Sequence, residues 1–75
     1  MRLIEVDEGI WVKVIGFDGE AKFQDRLLHH GLYPGDLARI LRVAPMNGPF
    51  LVEVSGRELA IGRDVARKIL VERNE

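Results

Sequence analysis

The side chains in this sequence best suited to metal binding, acid–base or nucleophilic chemistry are His29, His30, Ser55, Met46 and the carboxylates, of which Glu5, Asp7 and Glu8 lie close together. Adjacent helical residues point about 100° apart, so His29 and His30 do not converge on one ion in the way an i, i+4 ligand pair does. Near a helix C-terminus the dipole favours a protonated imidazole, and a capping or packing role is expected for both. Met46 offers one thioether on a hairpin tip, a weak soft ligand better read as a contact residue. Glu5, Asp7 and Glu8 have the spacing of a solvated turn, with no second acidic cluster tied to them. No metal ligand is assigned. Ser55 sits in a Ser-Gly turn with no histidine placed near it, and no Gly-rich loop is followed by Lys and Ser or Thr. No catalytic residue and no cofactor are expected.

Those side chains hang on elements whose boundaries are written in glycine and proline. The segment Arg26 to Asp36 encodes a helix end, a tight turn and a strand start. Gly31 follows an apolar-periodic run and supplies the left-handed backbone that stops a helix without a Cβ clash. With Gly31 as C′, Leu32 folds back onto Leu27, the apolar contact of a Schellman ending. Tyr33-Pro34-Gly35-Asp36 fits a type II turn, with Pro34 fixing φ at the second position and Gly35 supplying positive φ at the third. The helix is expected over 20–30, capped by Asp18 or Gly19, with Phe23 and Leu27 on its buried face and Glu20 near its positive end.

Around that helix the pattern is β. After an apolar lead-in, Leu3 to Val6, and a turn at Asp7-Glu8-Gly9, Ile10 to Phe17 reads as a strand. In it Ile10, Val12 and Val14 alternate with Trp11, Lys13 and Ile15, and Gly16 bends the chain. Leu37 to Val43 and Phe50 to Val54 form a hairpin, with Asn47-Gly48 the expected positive-φ pair of its turn. Ser55-Gly56 turns the chain into Arg57 to Ile61, Gly62 breaks it, a short helical turn is expected over 64–68, and Ile69 to Val71 closes the series. Five strands with few polar interruptions favour closure, which removes unpaired edges. The expected fold class is therefore mainly β, a small five-stranded barrel with one α-helix, forming a single domain over 1–75.

Composition sets the limits of that reading. At 75 residues and 8.5 kDa, scaling laws give an accessible surface of roughly 12,000 Å² unfolded and about 4,700 Å² folded, enough for one small core. There is no cysteine, hence no disulfide framework, which suits a reducing compartment. No apolar stretch reaches the length of a membrane span, and the N-terminus alternates charged and apolar residues, so a soluble, unprocessed chain is expected. Eleven basic and twelve acidic residues leave a formal charge of -1, which argues against a phosphate-backbone binder, and the few aromatics offer no stacking platform.

The ordered series Arg26-Leu27-Leu28, Gly31-Leu32, Pro34-Gly35, Val43-Ala44-Pro45, Gly48-Pro49, Val52 and Val54, then Ala66, Ile69 and Val71 resembles the FeoA family over nearly the whole chain. The resemblance implies a cytosolic SH3-like barrel that assists the membrane ferrous-iron transporter FeoB without catalysis of its own. A similar barrel ends repressors of the DtxR type, which keeps open a metal-sensing or regulatory module acting with a transcription repressor. The chain has no helix-turn-helix and would not read DNA itself. His29-His30 departs from the family pattern, one position there being often polar and the next often apolar.

With catalysis and cofactors set aside, contact with another protein is the expected occupation. The candidate contact residues are Leu28 and Tyr33 beside the Pro-Gly turn, and Pro45, Met46 and Pro49 on a stiffened hairpin tip. Gly31, Pro34, Gly35, Asn47 and Gly48 are read as structural turn residues. Arg57, Arg63, Arg67, Lys68 and Arg73 weight the last third positive, against Glu5, Asp7, Glu8 and Asp18 in the first third, a distribution that would steer docking. The expected partner is the cytosolic part of a FeoB-type transporter, with membrane association only through it and no nucleic acid. An exposed strand edge or the helix-end patch would permit weak self-association.

Overall fold

Valine alternation builds β1, Val12–Phe17, with Val12 and Val14 buried and Lys13 and Ile15 outward. Ile10 and Trp11, expected in this strand, precede its ladder. Residues 1–74 are described in the computed structural model; Glu75, the last residue of the expected domain, lies outside the described residues. The helix α1 spans Ala21–His29. Neither expected cap serves it: the Asp18 carboxylate pairs with Arg2 at 3.2 Å, Glu20 is the N-cap, and the Gln24 side-chain amide donates to Gly19 O at 3.0 Å. The strands β2 (Leu37–Val43), β3 (Phe50–Val54) and β4 (Arg57–Ile61) lie where the sequence places them. The short helix α2 is Arg63–Ala66, starting one residue early because Gly62 is its N-cap and Ala66 N–H donates to Gly62 O. The last strand, β5, runs Ile69–Arg73, longer than expected because Glu72 and Arg73 pair with Lys13 and Val12. The N-terminal lead-in forms a 3-10 turn, Leu3–Glu5.

The five strands form one antiparallel sheet in the order β4-β3-β2-β1-β5. The bend expected at Gly16 is a register shift in the β1–β5 pairing between Val14 and Gly16, and a second shift lies between Ile40 and Arg42 in β2. Such bulges add the twist that curls a sheet around its core. Closure is only partial, contrary to the expectation of a barrel without edges. The outer edge of β5 receives the N-terminus, since Val71 N–H donates to Met1 O at 2.8 Å and Arg2 bridges to Leu70. Strand β4 pairs with β3 alone among the described residues. The helix α2 links β4 to β5 along the chain.

Val12, Val14, Ile40, Val52, Val54, Ile69 and Val71 form the centre of the core, with Leu3, Leu27 and Leu32 packed around them. Full burial of one such side chain contributes about 1.5–3 kcal/mol. The accessible surface is 4826 Å², close to the value expected for a folded chain of this mass. On the outer face, the Arg39 guanidinium stacks 4.7 Å from the Trp11 ring and pairs with Glu53 at 2.9 Å, tying β2 and β3 to the start of β1.

Candidate interaction surfaces

The end of α1 is built as the sequence predicts. His30 is the C-cap and Gly31 has φ +85°. Leu32 N–H donates to Leu27 O at 3.0 Å and Gly31 N–H to Leu28 O at 2.9 Å, the two bonds of a Schellman motif. The type II turn follows, with Gly35 at φ +97° and Asp36 N–H on Tyr33 O at 3.1 Å. It is tied down from both sides. The Asp36 carboxylate accepts from Tyr33 N–H at 2.9 Å and from the Ser55 hydroxyl at 3.2 Å, while Gly35 and Asp36 exchange backbone bonds with Val14. Ser55 is thus a structural clip between the β3–β4 hairpin and this turn. On that rigid mount, Leu28 and Tyr33 line one shallow depression with Asp25 and His29. Tyr33 is 52% exposed and Leu28 half-buried, so the structure brings together this pair of expected contact residues.

The second expected surface is the tip between β2 and β3. Met46 is 99% exposed, and Pro45 and Pro49 are exposed beside it. The turn differs from expectation by one residue. Positive φ falls at Met46 and Asn47, both 59°, and Gly48 N–H closes the turn on Pro45 O at 3.1 Å. Gly48 is needed for space instead, since a Cβ there would lie 2.8 Å from the Ala44 Cβ. Asn47 borders a shallow hollow with Arg63, Asp64 and Arg67, separate from the Leu28–Tyr33 depression.

A third surface escaped the sequence reading. A groove of about 210 Å³ runs between α1 and β4, lined by Phe23, Arg26, Leu27 and His30 on one wall and by Leu59, Ala60, Ile61, Gly62 and Val65 on the other. The helical wall follows i, i+3, i+4, i+7 spacing and was legible in part through Phe23 and Leu27. The other wall was not, because nothing local in Arg57 to Ile61 reveals that this strand is an edge. At one end the Arg57 guanidinium donates to Gly31 O at 2.7 Å and cross-links the walls.

The polar groups that suggested chemistry are distributed, not gathered. His30 lines the groove and His29 the Leu28–Tyr33 depression, on two faces of α1. Glu5 accepts from Arg2 N–H at 2.7 Å, a local tie across the 3-10 turn. Among the described residues no three His, Asp or Glu side chains are grouped to hold a metal ion. Of the C-terminal cations, Arg67 pairs with Asp64 at 2.7 Å, Arg63 lies 5.2 Å from the Phe50 ring centre, and Lys68 lies 4.8 Å from that of Phe23. No helix among the described residues is long and apolar enough to cross a membrane.

The sequence profile of the FeoA domain matches residues 1–73. The chain belongs to the FeoA domain family. Similar sequences include a Methanocaldococcus jannaschii chain given the name Fe(2+) transport protein A, 35% identical over 65 residues, covering 87% of this chain and 77% of that one. Among solved structures, an iron uptake regulatory protein (FeoA) superposes with a TM-score of 0.86 at 27% identity, covering 99% of this chain and 96% of the other. A FeoA-like protein from Clostridium acetobutylicum gives 0.87 at 33% identity, covering 97% and 85%. The regulator ScaR with bound Zn2+ gives 0.86 at 23% identity over 99% of this chain and 37% of ScaR, a likeness of fold. The SH3-like barrel expected from the resemblance is thus the fold observed.

Proposed function

We propose that this FeoA-family chain serves ferrous-iron transport as an accessory protein that binds the cytosolic part of a FeoB-type transporter and modulates its activity or assembly. Family membership supports the pathway, and the relative named for Fe(2+) transport supports the cargo. The observation that carries a docking role is the pairing of Leu28 with Tyr33 on a turn locked by Asp36, Ser55 and Val14. A rigid aromatic anchor beside an aliphatic one, with charged groups at the rim, is the usual make-up of a binding hot spot. Met46 and its flanking prolines provide a second, protruding contact of low conformational cost. The proposed action is recognition.

Calorimetric titration of the chain with the cytosolic part of such a transporter tests this. Binding is expected, with a loss of at least about tenfold for Leu28→Glu or Tyr33→Ala at unchanged thermal stability. No binding by the unsubstituted chain would remove the reading. Unchanged affinity of both folded variants would move the docking face elsewhere.

A further inference from the structure

The outer edge of β4 is a bare hydrogen-bonding row among the described residues, and α1 forms the facing wall of the groove beside it. The Ser55-Gly56 turn is a two-residue hairpin loop with φ of 49° and 83°, so the closing pair Val54 and Arg57 exchanges both backbone bonds. Alternation along the ladder then makes Glu53–Glu58 and Leu51–Ala60 the non-bonded pairs, and the N–H and C=O of Glu58 and Ala60 point away from β3. Neither residue has a backbone partner on that side among the described residues. Outward amides of this kind ordinarily template another strand.

The groove chemistry narrows what that strand carries. Its lining is apolar except for Arg26 and His30, and no carboxylate borders it. Arg26 has no carboxylate within ion-pair distance among the described residues. Glu58, the acidic residue of β4, stands opposite Glu53, which Arg39 engages on the outer face. Asp25 borders the Leu28–Tyr33 depression instead. The groove therefore presents apolar pockets and uncompensated positive charge together. The Arg57–Gly31 bond braces its walls before anything binds, which lowers the entropic cost of association.

From this we infer that the groove between α1 and β4 binds an extended acidic–apolar peptide segment, which adds to the sheet as a sixth strand on β4. Alternate side chains of such a segment fall towards Phe23, Leu59 and Val65, while its carboxylates reach Arg26 and His30. The inference deepens the docking role proposed above and rests on it, since the segment would belong to the partner.

A capped peptide of sequence Glu-Leu-Asp-Val-Glu-Leu, titrated into the full chain and followed by amide NMR and hydrogen exchange, provides the test. Shifts are expected at residues 58–62 and along the Phe23–His30 face, with exchange of the Glu58 and Ala60 amides slowed at least about tenfold. Affinity should fall about tenfold for Arg26→Glu and for the same peptide carrying Lys in place of its acids. Ala60→Pro, which removes an edge donor without touching the β3 ladder, should weaken binding as well. Shifts confined to other surfaces, unprotected β4 amides, or equal binding of the Lys peptide would overturn the inference. So would concentration-dependent dimerisation that protects the same amides without peptide, which would assign the edge to a second copy. Transporter binding with a silent groove removes this inference alone, whereas peptide binding without transporter binding removes only the function proposed above.

Discussion

The sheet has two edges, and they are finished differently. The outer edge of β5 takes the first residues of the chain: Met1 O accepts from Val71 N–H, Arg2 bridges to Leu70, and Leu3 is 2% exposed beneath them. The outer edge of β4 takes nothing, although α1 runs alongside it. An uncovered edge invites unwanted pairing, and small β proteins normally cover, charge or shorten it. Here the open edge lies beside a groove walled by a helix. The contrast separates stability from recognition: one edge completes the fold, and the other is held ready by a brace at its end.

Substitutions at the two edges should differ accordingly. The largest effect belongs to the covered one. Leu3→Ala removes a fully buried anchor under β5 and should cost about 2–4 kcal/mol in chemical denaturation, with early loss of protection at the Val71 amide. A cost below about 1 kcal/mol would mean that the N-terminal segment is an ornament on the edge and not part of the core. Gly31→Ala strikes the brace of the open edge. It places a Cβ at φ +85° and against the Arg57 guanidinium, and a loss of about 1–2 kcal/mol is expected in melting experiments. Arg57→Ala removes the brace while keeping the helix stop, and its exposure limits the cost to about 0.5–1 kcal/mol. The two measurements together separate backbone strain from the cross-link. The smallest effect is expected at the open edge itself. Ala60→Lys should change stability by no more than about 0.5 kcal/mol, since Ala60 is exposed and its outward amide has no backbone partner. Destabilisation well beyond that would show that β4 is not a free edge in solution.

Much of the fold was legible because its signals are local. Gly31, Pro34 and Gly35 announce the helix stop and the type II turn through backbone sterics that no distant contact needs to supply. Alternation along β1, and the turn signals that bound β2, β3 and β4, located these strands to within a residue or two. The misreadings have physical causes as well. Asn47-Gly48 is the favoured hairpin pair by propensity, yet positive φ falls at Met46 and Asn47, and Gly48 lies where a Cβ would meet the Ala44 Cβ. Asp18 is a good cap by type, but Arg2, far upstream of the helix, pairs with its carboxylate at 3.2 Å. For the interaction surfaces, Leu28 and Tyr33 could be named from their positions around Gly31, whereas Leu59, Ala60 and Val65 carried no mark of the groove they line.

The amino-acid sequence by itself determined the segment Arg26 to Asp36: where the helix stops, how the chain turns, and that Leu28 and Tyr33 leave it on a fixed mount. It determined this because φ preferences and i, i+4 spacing act within a few residues. Only the tertiary structure decided that β5 is covered by the N-terminus while β4 is bare. Strand order is set by which apolar faces find one another across the whole chain, a choice that no single strand's sequence contains.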